Sequence, residues 1–230
     1  MLEIAKNLER SKSELLGLDI TTAHFPNAAW LPENVRFRVW DAYSELPPEY
    51  EGAFDVVHLR ALYSTVLDNK VDPLLSNCLK MLKPGGYLQW DESDASTLRT
   101  FSPSEGDKVD ACKQVLAVQD FSARMITKMI PDWLHNLRDT LAGRGCEILV
   151  HEELEPDRRL ARAWTENMLL VWRSMVALIP EQEMPLPPGM GLPEKVSRAL
   201  FAALLQEAIK ETQQGVMLGM QYHIFLAKKL

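Results

Sequence analysis

The sequence predicts an α/β fold built on a mostly parallel sheet, and three observations carry that prediction. Short apolar runs alternate with helical patterns, one of those runs is apolar nearly throughout, and proline and glycine fall between them. In order, residues 1–10 place Leu2, Ile4, Ala5 and Leu8 at roughly helical spacing, and residues 15–20 form an apolar run that meets Asp19. The stretch TTAHFPNAAWLPEN, with Pro26, Pro32 and Asn34, reads as a loop. VRFRVW (35–40) then alternates apolar and basic residues, as a half-exposed strand near a sheet edge does, and Asp41 ends it. After the proline-rich SELPPEYEGA, FDVVHLR (54–60) has Phe54, Val56, Val57 and Leu59, a pattern expected of a strand buried on both faces. DPLLSNCLKML (72–82) opens on an Asp-Pro pair and stops at Pro84, Gly85 and Gly86, which predicts a helix, and YLQWDE (87–92) is the next strand.

The second part of the chain changes character. Residues 105–142 hold two helical patterns, the second with Ile126, Ile130, Trp133, Leu134, Leu137 and Leu141, closed by Gly143 and Gly145. CEILVHEEL (146–154) reads as a strand, residues 161–178 and 193–213 as helices around the stiff loop MPLPPGMGLP, and VMLGMQYHIFLAKK as a last strand. With no internal repeat and no low-complexity tract, residues 1–230 are expected to form a single domain.

At 230 residues the chain is long enough to bury a substantial core. Its net charge of −7 argues against a nucleic-acid backbone as the main partner, which leaves a small molecule as the expected substrate. The three cysteines, Cys78, Cys112 and Cys146, have no metal-ligand spacing, so no metal site is expected, and an odd number fits a reducing compartment. No stretch approaches the roughly 20 apolar residues of a membrane span, and the N-terminus lacks a signal-peptide core. The expected location is the cytoplasm, with no membrane or nucleic-acid partner.

GLDI (17–20), LPENVRFRVWDA (31–42), FDVVHLRAL (54–62) and LLSNCLKMLKPGGYLQWDE (74–92) occur in an order and spacing that resemble the class I S-adenosylmethionine (SAM) dependent methyltransferases. More narrowly, they are similar to the small-molecule methyltransferases of fungal secondary metabolism. The likeness is strong over residues 1–95 and architectural beyond. It implies a Rossmann-like sheet with residues 1–95 as the cofactor-binding half and 96–230 as a helical substrate region, or lid, plus the last two strands. It also implies SAM as cofactor and places cofactor contacts at Asp19, Ile20, Asp41, Ala42 and Arg60.

The chemistry of those residues suits the assignment. A carboxylate such as Asp19 offers two oxygens at the separation of the ribose hydroxyls. Asp41 is placed to accept from the adenine amine, with Ala42 offering its backbone amide, although Asp41 would equally cap the loop that follows. Arg60 suits the cofactor's carboxylate, and His58 reads as a buried, satisfied core histidine. KPGG (83–86) is a turn signature without a chemical role. Glu92 and Asp94, at the end of their strand, are candidate general bases if burial raises their pKa; acids at loop starts are otherwise solvated. Trp90 stands with the two acids where a substrate would meet the methyl group, and Trp133, Trp164, Met168, Trp172 and Met175 would roof an apolar substrate pocket or simply fill core at helical spacing.

The family pattern also places a strand and a G-x-G-x-G loop before the helix of residues 1–10, and no stretch of this sequence has that form. The expected fold is therefore N-terminally truncated, with the missing strand belonging between those ending at Asp19 and Arg60. Three outcomes follow: the two strands pair directly, a partner in a homodimer or heteromer covers the open edges, or the sequence is part of a longer protein. Without the loop, SAM binding would be weakened or lost. The alternatives to methyl transfer are then a SAM-independent cyclase of the pericyclase, Diels-Alderase type, and a non-catalytic partner protein.

Overall fold

The computed structural model describes residues 13–101, 113–122, 132–185 and 194–230. The helix expected over residues 1–10, Ile126 and Ile130, and most of the MPLPPGMGLP loop lie outside them.

Two parallel strands come first, β1 (Leu15–Asp19) and β2 (Val35–Val39), paired from Leu15 opposite Val35 to Asp19 opposite Val39. The buried Asn34 fixes the entry to β2, its side-chain amide donating to the Ser13 carbonyl at 3.1 Å while its own carbonyl accepts from the Leu15 N–H. A second sheet contains β3 (Phe54–Arg60), β4 (Leu82–Phe101), β5 (Cys146–Leu154) and β8 (Met217–Lys229), in the spatial order β3-β4-β8-β5. β3 runs parallel to β4, whereas β8 is antiparallel to both of its neighbours. A short antiparallel pair, β6 (Met184–Pro185) and β7 (Lys195–Val196), brackets the proline-rich loop.

Between β3 and β4 lies helix α1 (Asp72–Met81), started by Pro73 in its first turn. KPGG then turns the chain inside β4: the pairing steps from Phe54 opposite Leu82 to Val56 opposite Tyr87, and Gly85 sits at a φ of 76°, a conformation that costs glycine little. Helices α2 (Lys113–Phe121), α3 (Asp132–His135) and α4 (Leu137–Gly143) follow β4, and α5 (Ala161–Met175) and α6 (Arg198–Gln213) follow β5. Ser197 caps α6, its hydroxyl accepting from the Leu200 N–H. No helix among the described residues is long and apolar enough to cross a membrane.

The buried side chains form two cores. One joins Leu74, Leu75 and Met81 of α1 to Leu88 and Trp90 of β4, Phe225 of β8, and Trp133, Leu134 and Leu141 of α3 and α4. The other, built on α2, α5 and α6, holds Val118, Phe121, Trp172, Phe201 and Leu205 against Leu218 of β8.

Three readings are corrected by this arrangement. β3 is not buried on both faces: Val56 is 56% exposed, because among the described residues β3 has a strand on one side only. For the same reason His58 is no core histidine but a half-exposed side chain, its Nε2 lying 3.0 Å from Asp91 Oδ2. Nor do β1 and β3 close up and pair; they belong to separate sheets.

Candidate active site

The loops that leave β2 and β3 are bonded together, which brings the carboxyl ends of the two sheets to one place. The Tyr43 hydroxyl donates to the Thr65 carbonyl at 3.2 Å, and the Asn77 side-chain amide on α1 donates to both the Ala42 and Ser44 carbonyls at 2.8 Å. The ends of β1 and β2 are joined in turn by the Trp40 N–H donating to the Asp19 carbonyl. Asp19 and Asp41 therefore sit at the joined ends of β1 and β2, and Arg60 ends β3, whose following loop is bonded to the loop after β2; open α/β sheets take their ligands at such strand ends.

Each acid is held by its own loop. Asp19 Oδ1 accepts from the Thr21 N–H at 3.0 Å, and Asp41 Oδ1 accepts from the Tyr43 N–H at 2.9 Å, so both carboxylates are exposed yet oriented. The capping role weighed for Asp41 is thus present, and a carboxylate has acceptor capacity beyond one bond. Ile20 is 70% exposed beside Asp19, leaving its apolar surface free to contact a ligand. Arg60 has a different first partner from a cofactor carboxylate: the Tyr222 hydroxyl on β8, and then Asp91, stabilise its charge and raise its pKa. Directly after it, Ala61 takes a φ of 54°, a strained conformation for a residue with a Cβ.

That strained turn is clamped from below by Glu92, which is fully buried. Its Oε2 accepts from the Leu62 N–H at 2.7 Å and from the Trp90 indole at 3.4 Å, while Oε1 accepts from the Ser93 N–H at 3.0 Å. Burial pushes its pKa up, against the pull of these bonds. Asp94 is also buried, and its environment works in the other sense. Burial would push its carboxyl up, but His223, Ser96 and His135 outweigh that and hold it well below the usual carboxylate range. His135 Nε2 lies 2.7 Å from Asp94 Oδ2, and Ser96 donates through both its hydroxyl and its N–H. Glu92 is thus placed as a backbone clamp and Asp94 as the acceptor for a histidine.

Sequence reading missed three members of this region. Tyr63 is buried beside the two acids, and burial pushes its hydroxyl up to about 12. Tyr222 and His223 lie on β8, brought here by long-range register that no local pattern announces.

The tryptophans expected to roof a pocket are core instead. Trp90 and Trp133 pack tilted with ring centroids 5.3 Å apart in the first core, and Trp172 is fully buried in the second, against which Trp164, Met168 and Met175 pack. Strand β4 and helices α3 and α5 turn these faces inward because that is the side on which apolar area is removed from water. Cys78 and Cys146 are buried free thiols, and burial pushes Cys78 up to about 12.

Comparisons with known proteins agree with the geometry. Residues 3–89 match the family described as a methyltransferase domain. Methyltransferase grgD of Penicillium sp is 38% identical over 88 residues, which cover 38% of this chain and 30% of that protein. N-methyltransferase gliN of Aspergillus fumigatus is 26% identical over 184 residues, covering 74% of this chain and 61% of that one. The chain therefore spans less than two thirds of the length of these curated relatives. Among solved structures, the 4+2 cyclase SpnF shares the fold at a TM-score of 0.50 and 19% identity, covering 99% of this chain and 69% of that chain. The MccD protein does so at a TM-score of 0.50 and 10% identity, covering 99% and 83%. Asp19, Asp41 and Arg60 all fall inside residues 3–89, the segment that is similar to the methyltransferase domain family.

Proposed function

We propose that this chain serves the transfer of a methyl group from SAM to an oxygen, nitrogen or carbon of a small-molecule secondary metabolite. The observation that supports the reading is that Asp19, Asp41 and Arg60 each lie at or just past a strand end, with the loops after β2 and β3 hydrogen-bonded to one another. Several of the curated relatives are named N-methyltransferases, which makes nitrogen the first acceptor to try.

SAM supplies an electrophilic methyl on a sulfonium, so the protein's task is positioning and charge. The polar edges present fit that cofactor. Asp19, oriented by Thr21, presents a carboxylate to the ribose hydroxyls; Asp41 and the Ala42 amide are placed for the adenine edge. Arg60 shares its guanidinium with Tyr222 and retains donors for the amino-acid carboxylate. Glu92 holds the turn after β3 in its strained form, which fixes where Leu62 and Tyr63 meet a substrate. Tyr63 stays protonated and is a donor rather than a base.

The test is calorimetric titration of the folded chain with SAM. Micromolar binding is expected, weakened at least tenfold in Asp19→Ala, since a hydrogen bond to a charged group contributes about 1.5–3 kcal/mol. A folded chain that takes no SAM would overturn the proposal and turn attention to cyclisation in a shaped cavity.

A further inference from the structure

Two rows of side chains cross the inner face of the second sheet. Glu92 on β4 lies opposite His223 on β8, which lies opposite Glu153 on β5; one step along, Trp90, Phe225 and His151 form the next row. Directly paired residues share a face, so all six point the same way. A bulge at Leu149 makes this possible. Before it the even-numbered Cys146 and Ile148 of β5 face inward; after it the odd-numbered His151 and Glu153 do.

The result brings two imidazoles and a carboxylate together: one ligand atom from each of His151, Glu153 and His223 lies within 4.8 Å of the other two. His223 is 3% exposed, and among the described residues neither of its ring nitrogens has a hydrogen-bond partner. His151 Nε2 is likewise buried without one. Native structures rarely leave such atoms unanswered. A proton on His223 would answer one nitrogen through Asp94, 3.7 Å away, which is longer than a hydrogen bond. It would leave the other nitrogen, and His151 Nε2, unanswered.

We propose that His151, Glu153 and His223 bind a divalent transition-metal ion, zinc foremost. Two imidazoles with one carboxylate form a donor set for such ions, and three protein ligands leave a position open to water or to a further donor. A modest contraction of the three side chains brings their donor atoms to metal-ligand distance. Glu153, its side chain 56% exposed, gives the ion a path from solvent. Asp94 Oδ2, 3.7 Å from His223 Nε2, would become the carboxylate that orients a ligating histidine once that ring moves slightly toward it, and His135 lies 2.7 Å from the same oxygen. The cysteines take no part, which is why their spacing gave no sign of a metal.

The test uses the full, untagged chain, stripped with a chelator and titrated with Zn2+ in competition with a chromophoric chelator. Co2+ serves as a spectroscopic probe of coordination. One ion per chain is expected, with a Co2+ visible band showing nitrogen and oxygen ligands. Glu153→Gln changes an exposed side chain and His151→Gln a half-buried one; each is expected to weaken Zn2+ at least tenfold, with its fold checked by circular dichroism. Zn2+ should raise the melting temperature of the wild type and raise it less in either variant. Absence of stoichiometric binding, or binding unchanged in both folded variants, would overturn the proposal.

Discussion

Glu92 shows how one side chain supports a site without facing it. Its carboxylate accepts from Leu62, Ser93 and Trp90, and without it two backbone N–H groups lose their acceptor. Glu92→Ala is expected to cost about 3 kcal/mol, read as a fall in the denaturant midpoint, because an orphaned buried donor costs roughly 1–3 kcal/mol. The pH dependence has a definite sign. Burial raises this carboxyl's pKa, so its stabilising contribution is present below the ordinary carboxylate range and is lost as pH rises through the folded-state value. Glu92→Gln should therefore gain in stability relative to the wild type as pH rises across that window, measured by unfolding at a series of pH values. At this scale the positions of Asp19 and Asp41 at strand ends were legible, because an acid that follows an apolar run is a local pattern. The clamp on Leu62 and the partners of Asp94 were not legible, since Leu62 and Glu92 are 30 positions apart and His135 and Asp94 are 41.

Elements were legible in proportion to how local their causes are. β1, β2, β5, β8 and the helices α1 and α5 fall where periodicity and turn residues place them, whereas the helix expected over 193–213 begins only at Arg198, after Lys195 and Val196 pair as β7 and Ser197 caps it. β3 was misread because four apolar residues in seven describe a central strand equally well as an edge strand that lacks a neighbour. The tryptophans were misread because the spacing that fills a core is the spacing that lines a pocket. β8 holds a further constraint at Gly219, where an added Cβ would lie 2.6 Å from Phe101 Cε2 and 2.7 Å from Pro156 Cβ. Neither atom is the end of a flexible chain. Gly219→Ala is expected to destabilise by about 1–3 kcal/mol through overpacking, again read from the denaturant midpoint.

Over the whole molecule, β1 and β3 each present an edge that no described strand pairs, and Val39 and Val56 of these sheets, with Ile20 and Trp30 between β1 and β2, are exposed apolar residues. Unpaired edges beside apolar surface favour association. Gel filtration with light scattering is expected to find a dimer or larger species at micromolar concentration; a monodisperse monomer would refute this. The strand order has a consequence in time as well as in space. β8 is the last strand of the chain to be described, yet it sits between β4 and β5 and gives residues to both cores. On the ribosome, β4 and β5 must wait unjoined, each with a bare edge, until residues 217–229 emerge. Nascent chains stalled before that point should be protease-sensitive and dependent on chaperones, and the transition to resistance should be abrupt rather than gradual.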